Sequence, residues 1–210
     1  LTTEQASSLG TAQVAALTTG QVIALGTEQV TALGTAQVAA FTSAQVVALT
    51  TVQVVSLGTE QVEALTTGQV SALETRDLAV LTTEQLGALG TSQLESLTTA
   101  QVVALTTDQV ASMSTAQVSA LTTRQVSAIE TRDLAALTTE QVLVLSTQQL
   151  SSLTTGQVAA FTTEQVSVIE TSQLTVLSSG QFSSLSTAQI VALTTVQVPV
   201  LSTLQVQSFT

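Results

Sequence analysis

Leu153-Thr154-Thr155-Gly156-Gln157-Val158-Ala159-Ala160 is one octad of a pattern that begins again at Phe161-Thr162-Thr163-Glu164-Gln165-Val166-Ser167-Val168. A large apolar residue opens each octad from Leu1 through Leu201 to Phe209 without insertion, so 26 octads account for all but the last two residues. A fixed period requires every unit to meet its neighbours in one geometry, which is the condition met by solenoids and arrays. The expected organisation is therefore one continuous array over residues 1–210, and the in-register start and finish read as a segment of a longer chain.

The octad has a division of labour. Position 1 is Leu with conservative departures at Phe41, Met113, Ile129, Phe161 and Ile169, and position 6 is Val or another apolar residue, with Ala6 the smallest. Position 8 is Ala, Ser or Val throughout. Position 3 is Thr except at Ser43 and Ser179, and position 5 is Gln except at Asp77 and Asp133. Positions 4 and 7 vary freely and are expected to face solvent.

A continuous helix does not suit this period. Eight residues at about 100° each leave the position-1 stripe rotated by about 80° per octad, so no seam forms. One short helix per octad fits better. Thr or Ser at position 2 serves as N-cap with Gln at position 5 as N3, the capping-box pattern, while positions 1 and 6 fall at N′ and N4, the hydrophobic-staple pair. Glu at position 4, as at Glu28, Glu60, Glu84, Glu140 and Glu164, places negative charge on the positive end of the helix dipole. The helix is expected to run through the next position-1 Leu and to leave by a left-handed Gly where one follows. A helix this short needs packing of positions 1, 6 and 8 against neighbouring octads, each burying these residues against the next, because nucleation is costly. Pro199, at position 7, interrupts the pattern once.

The fold expected is an all-α solenoid or superhelix of very short helices, one per eight-residue repeat. A β-solenoid with Thr and Gln ladders is the alternative, since Thr and Val favour strands and stacked polar ladders stabilise them. Against it stand the helix-forming Ala and Gln and the adjacent apolar positions 8 and 1, which break strict alternation.

Composition narrows the function classes. Charged residues are 8% of the chain and aromatics 2%, so Thr, Ser and Gln must cover the surface. Net charge is −11 with three arginines and no lysine, so no basic patch is available to displace counterions from a phosphate backbone and no nucleic-acid partner is expected. No apolar run approaches the roughly 18–20 residues of a membrane span, and no charged-then-apolar leader opens the sequence. Cys and His are absent, which removes disulfides and thiolate or imidazole metal ligands.

The octads resemble the low-complexity Leu-Thr-Thr-x-Gln-Val-x-Ala-Leu arrays of very large bacterial proteins that are secreted, surface-associated or adhesin-like. The resemblance implies an extracellular or cell-surface location and a stalk, spacer or filament-forming scaffold that self-associates or packs on neighbouring repeats of its parent chain, with a cell-surface or matrix partner. Leu137 to Val142 also resembles the first helix of TAL-effector DNA-binding repeats. That repeat is much longer and its DNA surface is basic, so the function does not transfer.

No catalytic, cofactor-binding or metal-binding residue is expected. Glu74, Arg76 and Asp77 recur as Glu130, Arg132 and Asp133 seven octads later. They read either as a docking point or weak cation site, or as a duplicated block whose charges compensate one another; the second reading is preferred. Paired carboxylates need burial and a substrate pocket to act as acid and base, which a uniform array does not offer, so no enzyme is expected. Calcium loops need dense Asp or Asn, whereas Asp77, Asp108 and Asp133 are isolated. An adhesin-type binding module is the alternative function. Ice binding is a lesser one that requires the β-solenoid, with Thr arrayed on a flat face.

Overall fold

The computed structural model describes residues 1–209, and among them the secondary structure is helical, with no strand. Twenty-five α-helices, named α1 to α25 in chain order, run from α1 (Thr3–Ser7) to α25 (Thr203–Gln207), one in every octad but one. The exception is the octad from Leu193 to Val200. There Pro199 lies in a 3-10 helix at Val198–Val200 in place of an α-helix, as expected where a ring removes an N–H donor from a helix interior. The β-solenoid is thereby overturned, and with it the flat Thr-bearing strand face that ice binding requires.

Each helix begins as the octad pattern dictates. In α20 (Thr155–Ala159) the N-cap Thr154 is extended at φ −72°, ψ 161°. Its hydroxyl accepts from the Gln157 N–H at 3.2 Å while Gln157 Oε1 accepts from the Thr154 N–H at 2.8 Å. This reciprocal pair satisfies two donors that a helix start leaves unpaired.

The exit differs from expectation. Helices stop at position 7 or 8, apart from α22 (Thr171–Leu174), which stops at position 6, and the next position-1 residue is extended, as Leu57 is at φ −62°, ψ 134° after α7 (Thr51–Ser56). No described residue has positive φ. Gly10, Gly26, Gly34, Gly58 and Gly90 sit at position 2 as N-caps near φ −72°, each donating its N–H to the Gln Oε1 three residues on. Two consecutive extended residues, at positions 1 and 2, turn the chain between helices, so no left-handed residue is needed.

The chain forms two compact units, Leu1–Leu105 and Thr106 onwards. In the first, α1 packs on α4 (Thr27–Thr31), α2 (Thr11–Ala15) on α5 (Thr35–Ala39), and so on to α10 (Thr75–Ala79) on α13 (Thr99–Ala104). In the second, the same offset runs from α14 (Thr107–Ser112) on α17 (Thr131–Ala135) to α21 (Thr163–Val168) on α24 (Thr187–Val191). The packing partner is thus three octads away, not the adjacent octad that a simple stack would use. Within each unit the core is built from positions 6 and 1: Val62, Val70 and Leu94 are fully buried in the first unit, as are Leu134, Val142 and Leu150 in the second. Removing a side chain of this class from water is worth about 1.5–3 kcal/mol, which supplies the tertiary support that a helix of one to two turns lacks alone. Position 8 is mostly half-buried, and positions 4 and 7 face solvent over most of the chain.

Candidate functional site

The side chains that do most beyond packing are the position-5 glutamines. From Gln37 onwards they are buried, which the octad pattern alone did not announce. Gln69 shows why. Its Oε1 accepts from the Thr66 N–H at 2.7 Å, closing its own helix start. Its Nε2 donates to the carbonyls of Val38 at 2.9 Å and Phe41 at 2.7 Å, with Ala39 at 3.3 Å. Those acceptors lie 31, 28 and 30 residues earlier, at the end of α5 and the linker after it. One amide therefore serves a donor at one helix start and acceptors at another helix end, where Val38 also accepts from the Phe41 N–H at 3.1 Å.

The offset repeats within both units. In the first, Gln45 reaches Val14 and Leu17, and Gln101 reaches Val70 and Leu73. In the second, Gln157 reaches Val126 and Ile129, and Gln205 reaches Leu174 and Leu177. Bonds at offsets of 28 and 31 mean that each solenoid turn takes between three and four octads. Only a group carrying both donor and acceptor can fill this place; a carboxylate offers acceptors alone. The position-3 hydroxyls sit at N1 and mostly project outward.

Asp77 and Asp133 are the two breaks in the amide pattern. Glu74, Arg76 and Asp77 do come together: Arg76 Nη2 lies 2.6 Å from Glu74 Oε2, and its Nε lies 3.7 Å from Asp77 Oδ1. The copy in the second unit has Arg132 at 2.9 Å from Glu130 and 3.3 Å from Asp133. In each cluster one guanidinium lies between two carboxylates. The two aspartates differ in one respect. Thr107 Oγ1 donates to Asp133 Oδ1 at 2.6 Å, whereas neither oxygen of the fully buried Asp77 has a hydrogen-bond partner among the described residues. Burial raises the Asp77 carboxyl above its ordinary value of 3.8; Arg76 opposes that rise and Glu74 adds to it.

Asp108 is exposed in the first turn of α14, away from either cluster in sequence. Among the described residues no three His, Cys, Asp or Glu side chains gather in a metal-holding group. At three of the position-4 glutamates local hydrogen bonds favour the charged form. Glu84, Glu140 and Glu164 are held below the usual carboxylate value by their own backbone N–H groups, helped by the N-cap hydroxyls of Thr82, Thr138 and Thr162. The surface concavities are open grooves, such as one beside Ile129, Glu130, Arg132 and Gln157 in the second unit. No helix among the described residues is long and apolar enough to cross a membrane.

A family model for the ALTTAQ repeat matches five overlapping or successive stretches, at residues 19–51, 43–75, 70–107, 126–163 and 166–210. The matches at 70–107, 126–163 and 166–210 each contain a glutamine together with the preceding-turn carbonyls to which it donates. A comparison with curated proteins gives no match.

Proposed function

The chain belongs to the ALTTAQ repeat family, and from that premise and its amide ladder we propose that it is a structural protein, a stalk, spacer or filament-forming scaffold. The observation that carries the reading is the Gln bridge. A regular octad closes its own helix start and ties itself to a helix end one turn back with a single side chain, as Gln69 and Gln157 do. Such a unit adds length without adding a new kind of contact, so the assembly is approximately a sum of nearest-turn interactions. The variable positions are left to the surface, where Thr, Ser and Ala predominate over charge.

The role is mechanical: buried Val and Leu hold the turns together, and directional amide bonds fix their register. The extracellular setting and any cell-surface or matrix partner belong to the same proposal and rest on the resemblance to surface-associated arrays. Surface labelling of intact producing cells tests the setting.

Small-angle scattering tests the scaffold reading, applied to this chain and to a version carrying twice as many octads. A spacer gains maximum dimension nearly in proportion to octad number. A compact globule grows only as about the 0.38 power of length, and that result would refute the proposal.

A further inference from the structure

In the octad from Leu73 to Val80 the amide ladder of the first unit is interrupted by a group whose donor capacity depends on protonation. On either side of it a Gln Nε2 donates to carbonyls 31 and 28 residues back, Gln69 to Val38 and Phe41 and Gln85 to Val54 and Leu57. For position 77 the equivalent acceptors are Val46 and Leu49, and among the described residues no side-chain amide reaches either. Asp77 instead turns an acceptor-only carboxylate into the same buried position, its side chain 0% exposed and both oxygens without a hydrogen bond. The helix start also lacks its bridge, because α10 has no capping box.

The charged surroundings are few. Helix α10 packs on α7 and α13, whose sequences Thr-Val-Gln-Val-Val-Ser and Thr-Ala-Gln-Val-Val-Ala contain no titratable group. The charged groups facing Asp77 are therefore those of its own octad. Arg76 is 63% exposed and spends its short contact on Glu74 at 2.6 Å, standing 3.7 Å from Asp77. Two carboxylates share one solvated guanidinium, so the buried one is incompletely compensated. Thr51, which stands where Thr107 stands relative to Asp133, makes no bond to Asp77.

We infer that this octad is a proton-operated joint: protonation of Asp77 removes the buried charge and gives position 77 the hydrogen-bond donor that Gln supplies elsewhere, tightening the contact with the turn containing Val46 and Leu49. The proton comes from solvent and forms an O–H bond on a carboxylate oxygen; nothing else is exchanged. While it is ionised the group has no donor to offer those carbonyls, and this step of the ladder is without the amide bond made on either side of it. The raised pKa is consistent in sign, since burial favours the neutral form. Acid therefore strengthens this contact while weakening the exposed Glu caps, which no general acid effect would do.

The test is hydrogen exchange on the whole chain, expressed as protection relative to intrinsic rates, from pH 7 to pH 4, for the wild type, Asp77→Asn and Asp77→Gln. Asn matches the protonated acid in size and carries its donor permanently. The wild type is expected to gain about fivefold protection in residues 73–80 and 46–50, the worth of one net hydrogen bond, while the Asn and Gln variants stay flat. The Asp77 carboxyl 13C shift should titrate over the same range. A flat wild-type profile, as a Thr51 hydroxyl donating to Asp77 would give, overturns the inference. So does an Asn variant that follows the wild-type slope.

Discussion

Gln69→Glu changes one NH2 into one oxygen and so asks what the ladder's donor is worth. The substitution keeps size, methylene count and the acceptor that receives the Thr66 N–H at 2.7 Å. It removes the donor to Val38 and Phe41 and puts a carboxylate against their carbonyls. Two lost hydrogen bonds contribute about 1 kcal/mol each, and leaving the Phe41 carbonyl without a donor adds about 1–3 kcal/mol, since Val38 keeps the Phe41 N–H. Burying an uncompensated charge raises the cost further, so at pH 7 a loss of roughly 3–5 kcal/mol is expected. Gln69→Ala also loses the capping bridge, typically about 1 kcal/mol, but strands no charge, and should cost less at pH 7. The order should narrow or reverse in acid, where the Glu carboxyl regains a donor. Urea unfolding followed at 222 nm, with hydrogen exchange locating the loss to residues 38–41 and 66–70, measures both. A Gln69→Glu variant within about 0.5 kcal/mol of wild type at pH 7, the range of ordinary surface substitutions, would refute the bridging argument.

The N-cap glycines give an opposite sign. Gly58 is extended at φ −70°, and an added Cβ meets Gln61 Oε1 at an ordinary 3.8 Å, so Gly58→Ser should stabilise by about 0.5–1 kcal/mol through unfolded-state entropy and a new cap; thermal melts of the purified variant show it. At Gly26 the same Cβ would lie 2.6 Å from Gln29 Oε1, and Gly26→Ser should gain less. In the core, Val62→Ala should cost about 2 kcal/mol in urea denaturation, whereas Val52→Ala, 66% exposed, should stay within about 0.5 kcal/mol. The depressed carboxyls of Glu84, Glu140 and Glu164 contribute stability that is present above their unfolded pKa and lost as pH falls through the folded value. Replacing all three by Gln should flatten the acid side of a plot of Tm against pH, and an unchanged slope would argue against the caps.

The helical octad was legible because its signals are local. Thr154 and Gln157 are three residues apart, and the capping box depends only on that spacing. Pro199 likewise announced its own disruption. The second half of the Gln role was hidden because its acceptors lie a full turn earlier in the chain and are backbone carbonyls, which carry no sequence signature. A single consensus repeats every eight residues and cannot say which earlier octad faces which. The exit geometry was hidden for a related reason: Gly10 and Gly58 suggested left-handed turns, yet they occupy the N-cap, where small size and a free N–H suffice. Asp77 and Asp133 were visible as departures from Gln, but what separates them is a hydroxyl on another turn, that of Thr107, which bonds the second while its counterpart Thr51 makes no bond to the first.

Because the ladder joins a side chain to main-chain oxygens that every octad offers alike, no octad needs a particular companion. Loss or gain of eight codons, or any multiple, presents each surviving Gln with another Leu and Val carbonyl in the same place. A single-codon change in the number of residues would instead throw the glutamines of the next 31 residues out of step with their acceptors on the preceding turn. The gene can thus vary copy number by recombination between its own repeats and still encode a folded product, so the length of such a protein is open to selection independently of its sequence.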